Sequence, residues 1–174
     1  IDAVLEMRSR HGLTPDMIKS IEVEVAKHAY SRLVFRIPET GLQGKFCMGY
    51  VLARAMIDGK ISLDAFTDAA VREPRVLELA ERVHMRLNSD FAQSSTGARP
   101  SIVTVNLANG QTLSRRVERA RGGPEAPLSP QELRAKFVDC AKQTIDEKAI
   151  HGALECVERL ESLEAIRPLC GLLG

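Results

Sequence analysis

Aromatic residues are scarce in this 174-residue sequence, at 4% of the total, and tryptophan is absent. Proteins that bind single-stranded nucleic acid stack bases on aromatic side chains, so this composition argues against that role. The net charge is only +1, from 24 basic and 23 acidic residues, whereas binding to nucleic acid or a membrane surface normally requires a basic excess. The composition therefore predicts neither partner. There is one local basic excess, a cluster of four arginines. A solvated surface explains it, with anion binding as an alternative. The residues are Arg115, Arg116, Arg119 and Arg121.

Patterns typical of metal ligation and of nucleophilic catalysis are missing as well. The four cysteines form no CxxC pair, and no histidine stands at metal-ligand spacing from them. We predict free thiols in a reducing compartment. The four histidines are scattered, and none lies beside a serine or cysteine in a local arrangement that suggests a nucleophile and its base. The sequence thus predicts no metal site.

Long apolar runs are also absent. No run reaches the length of a transmembrane helix, and no basic-then-apolar leader is present, so we expect a soluble, cytoplasmic protein. The spacing of Ile1, Val4, Leu5 and Arg8 is helical from the first residue, with no capping residue before it. This start predicts that the sequence is a piece of a longer protein.

The most informative stretch is residues 40–50, TGLQGKFCMGY, which we call the signature segment. Thr40 can cap a helix, because its hydroxyl can accept a hydrogen bond from an unpaired backbone N–H. We predict a helix from about Leu42 to Asp58, with Gly59 as its C-terminal stop. Apolar residues cover nearly the whole circumference of this helix, which predicts that it is buried at the centre of the domain.

Tyr50 is the polar aromatic residue of this helix. Helical spacing places Leu42, Phe46 and Tyr50 on one face, and Arg54 follows Tyr50 at four residues. A buried tyrosine hydroxyl needs a hydrogen-bond partner or an opening onto water or a ligand. From the residues alone both interpretations stay open: a core tyrosine bonded within the domain, or a catalytic tyrosine.

The remaining pattern predicts an α+β fold. Alternating apolar and polar residues indicate strands at about 21–25, 31–37, 83–87 and 102–107, the last followed by a hairpin turn at Asn109 and Gly110. Further helices are predicted at about 62–71, after Pro74, after Ser129, at 147–160 and at 163–173. The expected architecture is a small, largely antiparallel sheet packed with helices.

The signature segment, together with residues 57–60 (IDGK), resembles the central motif of the MmgE/PrpD family. Supporting matches lie at residues 1–5 (IDAVL), 66–67 (FT), 72–74 (REP), 127–129 (PLS) and 136–137 (KF). The resemblance extends over almost the whole chain. The family includes 2-methylcitrate dehydratase, cis-aconitate decarboxylase and iminodisuccinate epimerase. The chain departs from the family pattern at Cys47, where serine is common, and at Gly49, where a larger residue is usual.

The resemblance implies a two-domain protein, with a large all-helical domain and a smaller α+β lid over the active-site cleft. Residues 1–174 would form the lid as a single α+β domain, with the helices at about 129–173 either part of it or belonging to the helical domain. The helical domain would lie outside this sequence and would hold most of the catalytic histidines and lysines. The resemblance also implies a homodimer for the complete protein.

For the active site, the resemblance implies a role for Tyr50, which would bind a carboxylate or donate a proton. Lys45 and Arg54 are candidate ligands for the carboxylates of a small polycarboxylate substrate, although each also has a structural explanation: Lys45 as cover of the helix entry, and Arg54 as a hydrogen-bonded core arginine. No metal and no cofactor is implied.

Three functions therefore stay open. The leading hypothesis is the lid domain of a cofactor-independent lyase, a dehydratase or decarboxylase acting on a small polycarboxylic acid such as 2-methylcitrate. The second is an epimerase or isomerase on the same scaffold. The third is a non-enzymatic interaction module. We expect residues 1–174 alone to be inactive, because the catalytic groups of the helical domain would be missing.

Overall fold

The computed structural model describes residues 1–91 and 100–174 of the chain. They form two compact units, residues 1–126 and residues 127–174. The described residues contain eight α-helices and one four-stranded sheet, which confirms the predicted α+β class. No helix in these two ranges combines the length and the apolar character needed to cross a membrane.

The first unit holds the sheet and five helices. Its helices are α1 (Asp2–His11), α2 (Lys27–Tyr30), α3 (Gly41–Gly44), α4 (Met48–Asp58) and α5 (Pro74–Glu81). Its strands are β1 (Ile18–Val25), β2 (Val83–Leu87), β3 (Ser101–Leu107) and β4 (Thr112–Val117). The strand order is β2-β1-β3-β4, with β1 parallel to β2 and antiparallel to β3, and β3 antiparallel to β4. The sheet is therefore mostly antiparallel, as predicted.

One face of the sheet is buried and the other is polar. Ile21, Val23 and Val25 of β1 are buried, and so are Val103 and Val105 of β3. The residues between them carry polar side chains on the opposite face, because side chains alternate along a strand. Helices α1 and α4 pack on the buried face and form one core with it.

Helix α4 lies at the centre of this core, as the sequence predicts. Seven of its residues are buried. The helix ends where Gly59 adopts a left-handed conformation with φ of 70°, which glycine tolerates without steric cost. The guanidinium of Arg8 on α1 donates from Nε to the carbonyl of Met56 at 2.8 Å, so a cation satisfies the C-terminal end of α4.

The prediction of one continuous helix from Leu42 to Asp58 is wrong. The chain forms two helices, α3 and α4, which are separated by residues 45–47. Cys47 takes an extended conformation and begins α4 as its N-cap, while the carbonyl of Phe46 accepts a hydrogen bond from the backbone N–H of Phe35 at 3.4 Å. The break lets this carbonyl bond to a distant segment instead of continuing the helical ladder.

Two further predictions need correction. Residues 31–37 form no strand: α2 precedes them, and the segment runs on as an irregular loop before Pro38. Residues 62–71 form no α-helix but two short 3-10 turns, Leu63–Phe66 and Ala70–Arg72. Between them, Thr67 has an extended backbone, and its hydroxyl accepts a hydrogen bond at 3.1 Å from the N–H of Ala70, the first residue of the second turn.

The second unit contains three helices, α6 (Pro130–Ala141), α7 (Glu147–Glu158) and α8 (Arg167–Leu173). The predicted cap of α6 is confirmed: Ser129 and Glu132 form a reciprocal capping box. Helix α7 ends before the predicted residue 160, and a 3-10 turn, Leu160–Ser162, follows it. Apolar side chains at Leu133 and Ile166 remain exposed in this unit.

Gly41 of the signature segment is required by close packing. A Cβ atom at this position would lie 1.7 Å from the backbone carbonyl oxygen of Phe66, and a backbone atom cannot move aside as a flexible side chain can. We therefore expect Gly41→Ala to lower the free energy of unfolding by about 2 kcal/mol or more in urea denaturation of the 174-residue chain.

Gly123→Ala is the matched control, because its Cβ would meet its nearest neighbour only at 3.8 Å. This variant should stay within about 0.5 kcal/mol of the parent protein. Equal stabilities for the two variants would contradict the close packing of α3 against Phe66.

Candidate functional site

Tyr50 is fully buried in the first turn of α4, with an exposed fraction of 0%. Its hydroxyl has two partners inside the protein. It donates a hydrogen bond to the backbone carbonyl of Ala65, and it accepts one from Nε of Arg54 at 3.0 Å. Its ring meets the ring of Phe66 edge to face, with the centroids 6.2 Å apart. In this state of the domain, the hydroxyl is occupied by protein groups.

Arg54 lies one turn later on α4 and is the one buried charged side chain in the described part of the chain. Besides its bond to Tyr50, its guanidinium donates from Nη2 to the carbonyl of Ala70 at 2.8 Å. The same nitrogen pairs with the carboxylate of Glu73 at 2.8 Å, and Nη1 lies 3.5 Å from the carboxylate of Asp58. Arg54 therefore joins α4 to residues 70–73.

This environment keeps the Tyr50 hydroxyl protonated. Burial raises the pKa of Tyr50 above its ordinary value, although the hydrogen bond from Arg54 and its positive charge act in the opposite direction. A neutral tyrosine can donate a proton or a hydrogen bond, but it cannot serve as a base near neutral pH.

Cys47 is a structural residue of the same helix. Its sulfur accepts from the backbone N–H of Tyr50 at 3.5 Å and donates to the carbonyl of Arg36 at 3.3 Å. Burial raises the pKa of the Cys47 thiol, which disfavours the nucleophilic thiolate. The thiol occupies the N-cap position, where serine would place its hydroxyl oxygen for the same purpose.

The signature segment also has an outward face. Leu42, Lys45 and Phe46 are all exposed, Leu42 at 66% and Phe46 at 44%. The prediction that Leu42 and Phe46 share the buried face of Tyr50 is therefore wrong, because the break at residues 45–47 changes the helical phase. The ammonium of Lys45 lies 5.8 Å from the ring centroid of Phe66. We call Leu42, Lys45 and Phe46 the outward triad.

Phe66 links Lys45 to Tyr50, and Arg54 bonds to Tyr50 directly, but the three predicted site residues differ in access. Lys45 is exposed, whereas Tyr50 and Arg54 are buried. Sequence analysis missed Glu73 and Asp58 as partners of Arg54. Asp58 was detectable, because it lies four residues after Arg54 on a predicted helix. Glu73 was not, because its approach depends on how residues 59–73 fold.

The described ranges, 1–91 and 100–174, contain no group of three or more histidine, cysteine, aspartate or glutamate residues that could hold a metal ion. The polar groups around Tyr50 bond to one another. The arrangement can therefore present a cation at Lys45, while the Tyr50 hydroxyl stays neutral and bonded within the domain.

The fold and the signature segment define an α+β domain of a known enzyme family. The sequence model of the MmgE/PrpD C-terminal domain matches residues 1–162. The chain therefore belongs to the MmgE/PrpD family, as the resemblance of the signature segment predicts.

Curated relatives of the chain are cis-aconitate decarboxylases. The mouse enzyme (Mus musculus) is 27% identical over 179 residues, which cover 99% of this chain and 36% of the relative. The human enzyme (Homo sapiens) is 27% identical over 92% of this chain and 33% of its own length. The enzyme from Aspergillus terreus strain NIH 2624 is 23% identical over 100% of this chain and 37% of its own length. The chain spans about a third of the length of these relatives.

The raised pKa of Tyr50 gives a prediction for stability at high pH. Because the folded protein holds this proton more tightly than the unfolded chain, the contribution of the hydroxyl to stability is complete below pH 10 and is lost as pH rises through the folded-state pKa. Tyr50→Phe should cost about 1–3 kcal/mol at pH 7, since it leaves the Ala65 carbonyl and Arg54 Nε without this partner. The difference should shrink above pH 10 in urea denaturation.

Tyr30→Phe is the control, because Tyr30 is the other tyrosine of the chain and is exposed. It should change stability by less than about 0.5 kcal/mol at every pH. A difference between wild type and Tyr50→Phe that does not depend on pH would contradict the assignment of a buried, protonated hydroxyl.

Proposed function

We propose that this chain is the lid domain of a cofactor-independent lyase that acts on a small polycarboxylic acid, and that it contributes one wall of the active site. The observation that carries the proposal is the outward triad within the signature segment of an MmgE/PrpD domain. Leu42 and Phe46 can exclude water, and Lys45 supplies a cation between them. A carboxylate bound beside apolar side chains interacts more strongly with an ammonium than it would in open water.

The reaction is proposed as decarboxylation or dehydration. Decarboxylation is supported by the relatives named as cis-aconitate decarboxylases. For dehydration, the proposed substrate is 2-methylcitrate. Both reactions need a charged partner for the substrate carboxylates and a proton donor near the carbon or oxygen that changes. Lys45 fits the first role. Tyr50 fits the second, because its hydroxyl stays protonated.

For Tyr50 to act on substrate, its hydroxyl must exchange the Ala65 carbonyl for a substrate group while Arg54 keeps its own bond to it. A direct contact between Arg54 and the substrate requires more, because the guanidinium would have to leave Ala70 and Glu73. We therefore assign Arg54 first as a positioning residue for Tyr50, with substrate binding as its second candidate role.

The proposal also covers the helical domain, residues 127–174 and the oligomeric state. A large helical domain would supply the remaining catalytic groups and cover the outward triad, and residues 127–174 would pack on it through exposed apolar side chains such as Leu133 and Ile166. We also propose a cytoplasmic homodimer. An epimerase on the same scaffold is the second candidate, favoured by the same proton donor. A non-enzymatic interaction module is the third, favoured by the exposed apolar surface.

The substrate class is tested with the complete protein that contains this chain. We expect turnover of cis-aconitate or 2-methylcitrate, followed by product analysis for released carbon dioxide or water. Conversion of iminodisuccinate between epimers without loss of a group would replace the lyase by the epimerase. Residues 1–174 alone should be inactive on all three, and no turnover of any of them by the complete protein would contradict the enzyme proposal.

The role of Lys45 is tested by Lys45→Gln in the complete protein. Loss of one charge-assisted contact to a carboxylate should raise KM about tenfold or more and leave the melting temperature unchanged. Lys60→Gln is the matched control, because Lys60 is also exposed but lies beyond the C-terminal end of α4. Equal KM values for the two variants would remove Lys45 from the site.

Tyr50→Phe in the complete protein separates catalysis from packing. If Tyr50 donates a proton, kcat should fall by about 100-fold or more when turnover is measured well below the melting temperature of the variant. Retained kcat with lowered stability would make Tyr50 a core residue only.

A further inference from the structure

Phe66 contacts both the exposed cation and the buried tyrosine of the candidate site. The ammonium of Lys45 lies over its ring, 5.8 Å from the centroid. The ring of Tyr50 meets the same ring edge to face, with 6.2 Å between the centroids. Phe66 itself is half-buried and packs against the hydrophobic core. One aromatic side chain therefore touches both residues to which the proposed function gives a first role at the substrate.

The backbone around Phe66 is fixed by the signature segment. A Cβ atom on Gly41 would lie 1.7 Å from the carbonyl oxygen of Phe66, so the two backbones pack without space for a side chain. The carboxylate of Asp68 accepts a hydrogen bond from the N–H of Gly41 at 2.8 Å. The carbonyl of Ala65 accepts one from the Tyr50 hydroxyl. The chain is thus held both before and after Phe66, and the ring has a fixed support.

Lys45, in contrast, has a flexible side chain. Its backbone is fixed as the C-cap of α3, where its N–H donates to the carbonyl of Leu42 at 3.2 Å. A long aliphatic stem separates this backbone from the ammonium. Within residues 1–91 and 100–174, the partner of the ammonium is the ring of Phe66, and no carboxylate pairs with it. The position of the charge therefore depends on Phe66.

An aromatic partner leaves the charge of Lys45 available to a ligand. Arg86, an exposed cation of β2, shows the other case, because the carboxylates of Glu22 and Glu24 lie 3.3 Å and 2.9 Å from it and balance its charge. The ring of Phe66 attracts an ammonium through its quadrupole but carries no net charge, so it orients the cation without neutralising it. A cation that is oriented in advance also loses less conformational freedom when it binds an anion.

We propose that Phe66 is the positioning residue for Lys45: its ring holds the ammonium over its face and thereby sets the affinity of the site for a substrate carboxylate. The inference rests on the proposed function of Lys45 as a carboxylate ligand. It adds that substrate affinity depends on the electron density of this ring and not only on its size. The hydroxyl of Tyr50 has its own partners in Ala65 and Arg54, so Phe66 acts on substrate binding and not on proton donation.

The test places trifluorophenylalanine at position 66 of the complete protein by nonsense suppression. Fluorine withdraws electrons from the ring and weakens its attraction for a cation, while the shape of the side chain changes little. We expect KM for the substrate that the protein turns over to rise about threefold, with kcat unchanged. Phe66→Tyr retains an electron-rich ring and should retain the KM of the wild type. A KM that fluorination leaves unchanged would overturn the proposal.

A double-mutant cycle separates this role from packing. In the Lys45→Gln background no ammonium remains over the ring, so fluorination at position 66 should leave KM unchanged. An equal rise of KM in the wild-type and Lys45→Gln backgrounds would make Phe66 a packing residue only.

NMR of the 174-residue chain tests the contact independently of turnover. Protons over the face of an aromatic ring resonate upfield, so the ε-methylene protons of Lys45 should resonate upfield of those of Lys60, and Phe66→Leu should abolish this difference. Equal resonances of the two lysines in the wild type would overturn the proposal, whether or not the complete protein is active. An upfield resonance together with no turnover by the complete protein would instead overturn the lyase proposal, and with it the role of Phe66 in binding, while the contact itself would stand.

Discussion

The buried guanidinium of Arg54 is the interaction on which the signature segment and its neighbours depend. It bonds at once to the Tyr50 hydroxyl, the Ala70 carbonyl and the Glu73 carboxylate. These partners come from α4, from the second 3-10 turn and from the residue that follows this turn. Removal of the guanidinium would leave a carbonyl and a hydroxyl buried without this donor, which costs more than the bonds themselves contribute in water. The desolvated cation is stabilised by this complete set of acceptors.

The residues of the signature segment accordingly form two sets, one facing inward and one facing outward. Gly41, Gly44 and Tyr50 face inward, and both glycines are needed for close approach: a Cβ on Gly44 would lie 2.8 Å from Val71 and 3.3 Å from the Tyr50 ring. Leu42 and Lys45 face outward. The inward residues fix the backbone, so the outward side chains are presented on a rigid support. Rigid support is what a binding wall requires, because a small displacement of a charged group weakens its contact with substrate.

Local signals in the sequence predicted the elements whose hydrogen bonds are local. The Ser129 cap of α6, the glycine end of α4 and the hairpin of β3 and β4 belong to this group. The failures have long-range causes. The carbonyl of Phe46 accepts a hydrogen bond from Phe35, and the carbonyl of Ala65 accepts one from Tyr50, so the predicted helices are interrupted there. The same holds for the candidate site. The helical spacing of Tyr50 and Arg54 predicted that they lie together, whereas no local pattern predicted the contact with Glu73.

The same network bears on how Tyr50 would take part in the proposed reaction. If the hydroxyl turns from Ala65 toward a substrate carboxylate, one acceptor replaces another and the number of hydrogen bonds at Tyr50 is conserved. The Ala65 carbonyl loses its donor, a cost of about 1–3 kcal/mol that a charge-assisted bond to the carboxylate can offset. Arg54 would face a larger loss, because Ala70 and Glu73 would both be left. In the proposed reaction, Tyr50 would therefore be the member of the pair that exchanges partners, and Arg54 would be the member that holds it in place.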